Sequence, residues 1–454
     1  HKVLVFTRTS GFRHNSIPDG IVAVQRLGRE HGFNVDVYDP ALPAVSLPST
    51  PFTTAENLAQ YRAVVFLNTG GSIMNDAERA ALQGYIRAGG GYAGVHAAGD
   101  TLKDWEWYGK MVGAVFSNHP QGPLSTNPPC EPCFPGVTVT EDHTHPATEH
   151  LKTRWNVHDE FHNYRSSARA GAHVLMNLDE STYRTDLNML TNTRWGNGYR
   201  GLMGDHPISW CQNFEGGRVW FQGLGHNREF FYDQDYLRML VRGIQTAAGV
   251  LPANCTSHRE VNELITLRLS DGTLSDAVGS SLRSSLTAAQ TKYMANDPVG
   301  AIATLQELRT AANAAISDRE KRLAFTAKVN DLIQWMRAIR SGGGVPDEAA
   351  PQEEEAGKPS SVADSAAEPT TTGAQTVASN AAVAGAEAPK SQTAAALRSV
   401  RIVQKGDRVS LRISSSGAGR LTVKARLEAP NPRVRSVAVK SSRAASSVVL
   451  PFKP

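Results

Sequence analysis

No apolar run of this sequence approaches the roughly twenty residues that cross a bilayer, so no membrane span is expected. An excess of charge of one sign is almost absent. The 47 basic and 43 acidic side chains leave a formal +4, spread along the chain, and imply no nucleic-acid or membrane partner. Aromatic residues make up only 7% of the chain, and the stretch 341–396 has none. Such a tract of Ala, Ser, Thr, Pro and Glu cannot bury enough apolar surface to order itself, and it is expected to be a disordered linker. Cysteines number four: Cys130, Cys133, Cys211 and Cys255. An even count points to two disulfides, most simply Cys130 with Cys133 inside CEPC and Cys211 with Cys255. A four-thiolate zinc knot is the rival, although two of its cysteines stand at no recognisable ligand spacing.

What is present is organisation. With 454 residues, 40% of them apolar, the chain is long for one core, and two or three domains are expected. It opens at HKVLVF without a methionine and runs directly into a strand. That start reads as trimmed, and with the cysteines and the linker it leads to the expectation of a secreted, extracellular protein. An amino-terminal histidine also raises a copper-binding reading, but residue 1 feeds the first strand at its amino end, whereas α/β ligand sites gather at carboxyl ends.

From 1 to about 250, β-branched and aromatic runs (KVLVF, FNVDVY, AVVFLN, YAGVH) alternate with segments of helical period (IVAVQRLGREHG, AERAALQGYIRAGG, DYLRMLVRGIQTAAG). This pattern predicts a doubly wound, flavodoxin-like parallel sheet. Further strands in VTVTED, HVLMNL and RVWFQGLG indicate a mixed second half. Residues 256–340 are almost entirely of helical period and predict an antiparallel bundle. Residues 397–454 alternate apolar and polar with turns at KGD and SGAG, as four short strands of a small β module would.

Chemistry is expected where strands end. The first strand leads into TRTSGFRHNS, which places Arg13 and His14 in a loop before a helix start, a position that favours anionic or hydroxyl-rich ligands. The third ends in NTGGS: Asn68 is a candidate contact, and Gly70 with Gly71 lets a ligand approach the backbone. The fourth, GYAGVHAAGD, delivers His96 into a sharp strand-to-helix turn lined by small residues, an elbow that projects its central side chain into a cleft. Near neutral pH an imidazole there moves a proton or binds a metal; the bland alternative is a histidine bonded to a neighbouring carbonyl. Asp100, His119, His206 and His226 likewise stand where strands meet loops. EDHTHPATEH, by contrast, reads as an exposed polar loop.

The densest constellation is NVHDEFHNY, 156–164. On a strand, His158, Glu160 and His162 share one face, and Asp159 and Phe161 the other. Both carboxylates then cannot enter one cleft without a bulge, so one is the working acid or ligand and its neighbour fixes a loop. The ligand types suit zinc or a similar divalent ion, with His96, Glu160, His162 and His226 as candidates, while the presence of a metal stays open.

Together VLVFTRTSGFRHNSI, FLNTGG, GYAGVHAAGDT, the DEF of HDEFHNY, HPISW and GLGHN resemble the ThuA-like family, named for trehalose utilisation, over residues 2 to about 248. The resemblance implies a class I glutamine amidotransferase-like fold. Amidotransferases carry a nucleophilic cysteine at the elbow where this chain has His96, so glutamine hydrolysis through a thioester is not implied. Members often have tyrosine where this chain has His162. Residues 256–340 resemble the FIVAR or FIMAH-type modules appended to carbohydrate-active enzymes.

These readings converge on a secreted carbohydrate-active enzyme, a glycoside hydrolase or lyase acting on an oligo- or polysaccharide or a modified sugar. His96, Asp159, Glu160 and His226 are its expected catalytic residues. Arg13, His14, Asn68, Gly70, Gly71, Asp100, His119, His206 and Trp210 are expected to bind substrate, with Trp105, Trp107 and Trp195 as further stacking candidates. The alternative is a non-catalytic saccharide-binding protein attached to a cell wall or polysaccharide by its carboxyl-terminal modules.

Overall fold

The computed structural model describes residues 1–120, 133–183, 203–295 and 297–341, and the strands of the tail within 397–450. Of the linker reading for 341–396 only Ser341, the last residue of a helix, is among these residues; the rest of that stretch, Cys130 and Trp195 lie outside them. The chain forms two compact units, His1–Ala356 and Gly357–Pro454.

In the first unit, β1 (Lys2–Phe6), α1 (Ile17–His31), β2 (Asn34–Tyr38), the single turn α2 (Ala55–Leu58), β3 (Ala63–Leu67), α3 (Asp76–Arg87), β4 (Gly91–Val95) and α4 (Glu106–Val112) follow the predicted alternation. Then come β5 (Phe116–Asn118), β6 (Phe134–Thr140), β7 (Arg154–Asp159), β8 (Asn163–Tyr164), β9 (His173–Asp179), β10 (Pro207–Phe214), β11 (Gly217–Gln222) and α5 (Gln234–Ala247). One nine-stranded sheet has the order β2-β1-β3-β4-β11-β10-β9-β6-β7. It is parallel from β2 to β11 and antiparallel from β11 to β7. The fold is thus α/β with a mixed sheet, and the even number of reversals leaves β7 running in the same sense as β4.

Period-two alternation divides the parallel strands between two cores. Val3, Val5, Val65 and Val95 face α1 and α5, whereas Leu4, Phe6, Val64, Phe66 and Tyr92 face α3 and α4. Helix starts follow local rules. Asn75 and Glu78 form a reciprocal capping box at α3, and the Asp233 side chain caps α5. Both fix where the segments that lead out of β3 and β11 end.

Four helices follow: α6 (His258–Ser270), α7 (Asp276–Met294), α8 (Pro298–Ala315) and α9 (Arg319–Ser341). They enclose their own apolar cluster, which Val174 of β9 joins. Trp335 of α9 stacks on His173 with ring centroids 4.2 Å apart and donates its indole N–H to the carbonyl of Val174. Arg169, nearly buried, bonds Glu141, Asp205 and the Tyr293 hydroxyl of α7. This packing overturns the reading of EDHTHPATEH as exposed. Asp142, His143 and His145 are buried, and Asp142 bonds His173 at 2.8 Å beneath the helices. A polar loop looks solvated in sequence when the surface that covers it arrives more than a hundred residues later.

The Cys211–Cys255 disulfide ties β10 to the segment that leads into α6. Because both sulfurs are so engaged, the grouping of His145 with these two cysteines is not a ligand set. In the second unit, β12 (Leu397–Lys405), β13 (Arg408–Ser415) and β16 (Ala445–Leu450) form one antiparallel sheet, and β14 (Gly419–Arg426) pairs with β15 (Val434–Ser441). The sequence reading had one strand fewer.

Closing a 44-residue separation removes freedom from the unfolded chain. Replacing Cys211 and Cys255 by Ser is expected to cost about 2–4 kcal/mol, read as a lower denaturant midpoint. A second outcome concerns acid. Burial pushes His258 down from the usual 6.5 to about 4 and His145 to about 3. Below pH 6.5 the unfolded chain takes up protons that the folded chain refuses. This part of the stability is therefore full above pH 6.5 and drains away as the pH falls toward 4. The melting temperature should drop across that window, and His258→Phe should flatten the slope.

Candidate functional site

Five segments converge on the carboxyl edge of the sheet. They follow β1, β3, β4, β7 and β11 and bring His14, Asn68, His96, Glu160 and His226 into one locality. At its centre is the Glu160 carboxylate, which is buried. Its Oε2 lies 3.1 Å from His96 Nε2, 2.8 Å from His162 Nε2 and 3.1 Å from His226 Nδ1. Its Oε1 lies 3.3 Å from His119 Nε2. The His14 ring packs edge-on against both His96 and His226, with centroids 4.9 Å away in each case.

The local backbone explains the aim of these groups. His96 adopts φ 48°, the left-handed region that a non-glycine residue enters only under constraint. Gly94, two residues before it, leaves room that a Cβ would lose to Phe221 and Tyr92, at 2.8 and 2.9 Å. The elbow expected from GYAGVHAAGD is therefore present, and it turns the imidazole toward Glu160. Asn68, at φ 50°, fastens the neighbouring loops. Its amide donates to Ser16 Oγ and to the carbonyl of Gly225, and its Oδ1 accepts the Ala97 N–H. Gly225 itself sits at φ 126°, where a Cβ would meet the Tyr236 hydroxyl at 2.7 Å.

β7 ends at Asp159, so strand alternation does not carry on through Glu160 and His162. Glu160 and His162 consequently meet, while His158 lies beside Asn227 instead. Asp159 accepts the backbone N–H groups of Gly225 and Asn227 at 2.6 and 2.7 Å. Of the two carboxylates, Asp159 fixes the loop that carries His226, and Glu160 faces the cluster.

Charge follows from this geometry. Burial alone would raise the Glu160 pKa. The charges of His119 and His226 and the hydrogen bonds of His162 and His226 outweigh it and hold the carboxyl well below the usual range. His14 is held well below the usual imidazole value by burial, and then by the like charges of His96 and His226. Burial followed by the like charge of His96 takes His162 down to about 3, against the pull of Glu160. At neutral pH the site thus holds an anionic carboxylate beside neutral rings at His14 and His162. His226 and His119 are partly open, at 11% and 24% side-chain exposure, and form the accessible side.

Several expected contacts lie elsewhere. Trp210 is fully buried, stacks on Phe221 and donates to the carbonyl of Val112; a core tryptophan cannot stack on a sugar. His206 is also fully buried, held between Glu180 and the carbonyl of His162, so it supports His162 rather than a ligand. Arg13 pairs with Asp39 at the end of β2. Asp100 pairs with Lys103 and, through its carbonyl, with Gly71. Gly70 accepts the N–H of Ser10, and Gly71 has φ 79°, so the pair shapes the backbone here. Trp105 stacks on Trp107, which bonds Glu215 in the turn at the opposite edge of the sheet.

One neighbour of the cluster escaped the sequence reading. Phe12 is 67% exposed, and its ring packs against His14 and lies parallel to His226, with centroids 6.5 Å apart. The signal available was the Phe-x-His spacing in an extended loop, which puts residues 12 and 14 on one side.

Among the described residues, the donor atoms of His14, His96, Glu160 and His226 all lie within 4.8 Å of one another, so these four could hold a metal ion. His162, a ligand candidate from the sequence, is not in this set. It braces Glu160 from behind.

No curated protein matches this chain. Among solved structures it is similar to a ThuA-like protein from Parabacteroides merdae, at 17% identity over 55% of this chain and 90% of that one, with a TM-score of 0.38. It is also similar to a cytoplasmic protein from Salmonella typhimurium, at 10% identity over 54% and 99%, TM-score 0.36. A third is an exo-β-1,4-mannosidase from an Opitutaceae bacterium, at 11% identity over 54% and 35%, TM-score 0.29. The sequence profile of the trehalose-utilisation family, ThuA, matches residues 2–247, more than half of the chain, and the protein belongs to that family.

Proposed function

We propose that the α/β domain is a carbohydrate-active enzyme that cleaves a glycan or a modified sugar, by hydrolysis or by elimination. The observation that carries this reading is the single carboxylate oxygen shared by three imidazole nitrogens beside an exposed phenylalanine. Both reactions need one group to take a proton and another to deliver one to the leaving oxygen. His226 and His119 stand on the open side in those roles, and the Glu160 anion stabilises whichever ring becomes charged. His96 holds the array in place from the elbow. Phe12 offers a flat apolar face of the kind on which a pyranose ring stacks. The family's description, trehalose utilisation, supports a sugar as the substrate class.

Export is part of the same proposal, supported by the Cys211–Cys255 disulfide, since such bonds persist in oxidising surroundings. The helices after residue 256, read as a FIVAR or FIMAH-type module, and the β-rich tail would then hold the enzyme near its polymer.

A panel of oligo- and polysaccharides assayed for new reducing ends and for unsaturated products tests the reading. Glu160→Gln and His226→Ala should lower kcat by about 10²–10⁴-fold with melting temperatures near that of the parent. Phe12→Ala should raise KM several-fold and leave kcat unchanged. A folded His96→Ala variant with full activity overturns the assignment. Saturable saccharide binding without product from the parent chain assigns the site to binding alone.

A further inference from the structure

We propose that His14, His96, Glu160 and His226 bind one divalent transition-metal ion, zinc being the first to test. The inference deepens the reading of this site as catalytic and rests on geometry independent of it; with an ion held, His226 would serve as a ligand and proton transfer would fall to His119, which lies outside the ligand set.

The first observation is a mismatch of donors and acceptors. His96 Nδ1 lies 2.8 Å from the carbonyl oxygen of Gly223. A carbonyl only accepts, so Nδ1 carries the hydrogen, and in the neutral ring Nε2 carries a lone pair. That lone pair faces Glu160 Oε2 at 3.1 Å. An ionised carboxylate also only accepts. Two acceptors at that distance repel unless something positive joins them, and the candidates are a proton on His96 or a cation between the two.

The second observation favours the cation. The His14 ring is 7% exposed, and its Nδ1 is buried with no hydrogen-bond partner. Buried ring nitrogens are normally satisfied, and leaving one unpaired is destabilising. A proton on His96 would do nothing for His14. An ion would take donors from both rings, since their ligand atoms, with those of Glu160 and His226, lie within 4.8 Å of one another. In tetrahedral coordination, metal–ligand bonds of about 2.1 Å put neighbouring ligand atoms roughly 3.4 Å apart, so closing on an ion needs only modest side-chain shifts.

The third observation is the surrounding shell. Metal-binding histidines usually donate their other nitrogen to a carbonyl or carboxylate, and ligating carboxylates are themselves held by hydrogen bonds. Both features are present: Gly223 backs His96, His162 Nε2 holds Glu160 Oε2 at 2.8 Å, and His119 reaches Oε1. Three imidazoles and one carboxylate suit zinc and its first-row neighbours better than magnesium or calcium, which prefer oxygen.

The test uses the untagged full chain, stripped with a chelator and titrated with Zn²⁺ by calorimetry, with metal content measured after gel filtration and Co²⁺ substituted as a visible probe. One ion per chain is expected, with Co²⁺ absorption bands of imidazole coordination. His14→Ala, His226→Ala and Glu160→Gln should each weaken binding by more than about 100-fold, and His162→Ala by about 10–100-fold. His31→Ala, at an exposed position on α1, should leave it unchanged. His226→Ala, on the accessible side, guards against misfolding in the buried variants. Absence of stoichiometric binding by the stripped parent overturns the proposal, as does equal affinity in the His226→Ala and His31→Ala chains. One ion bound without saccharide turnover leaves the metal site standing and removes the enzymatic reading; turnover in chelator with no ion bound does the reverse.

Discussion

A carboxylate taken out of water must be surrounded by donors or positive charge, and in this protein that requirement falls on Glu160. Its two oxygens are met by nitrogens of His96, His119, His162 and His226. These residues come from four stretches of chain, 23, 43 and 64 positions apart in order. None of these stretches can move far without leaving a buried charge unpaired, a far larger penalty than the loss of a surface ion pair. The carboxylate therefore organises the edge of the sheet as much as the sheet organises the carboxylate.

The convergence depends on fasteners that take no part in the cluster. Asp159 holds the amides of Gly225 and Asn227 and so sets the approach of His226. Asn68 joins Ser16, Ala97 and Gly225, linking the loops after β1, β4 and β11. His206 grips the carbonyl of His162 from below. These contacts are buried and join segments far apart in sequence, and they allow functional loops of a doubly wound sheet to keep a fixed geometry. The helices from α6 to α9 pack elsewhere, against β9 and the loop that precedes it, joined by Trp335, Arg169 and the disulfide.

The strands were legible because period two and β-branched composition leave a strong local trace, and the histidines of the site were legible because each stands where a strand ends. What failed was information not stored locally. A tryptophan that stacks on a ligand and one that fills a core have the same neighbours in sequence, so Trp210 read as a contact and proved to be interior. The loop 141–150 read as solvated because its cover lies in α6–α9. His158, Glu160 and His162 read as one face because alternation was assumed to persist; Glu160 and His162 do meet, but β7 stops at Asp159 and His158 lies beside Asn227 instead. The prediction that one of the adjacent carboxylates would serve a loop did not depend on that assumption. It needed only that neighbours on an extended chain point opposite ways.

The elbow at His96 shows how these constraints combine. A side chain at positive φ costs of order 1–3 kcal/mol, and nothing in the turn itself returns it. The compensation begins with Nδ1, which donates to the carbonyl of Gly223 and leaves Nε2 presented to Glu160. A shorter residue at this position would keep the strain, lose the bond to Gly223 and present nothing to the site. An imidazole spans the distance from a backbone bend on one strand to an acid that follows another, and it does so with one nitrogen anchored and the other presented. This division of labour, one nitrogen for the fold and one for the site, is why a histidine stands at this turn.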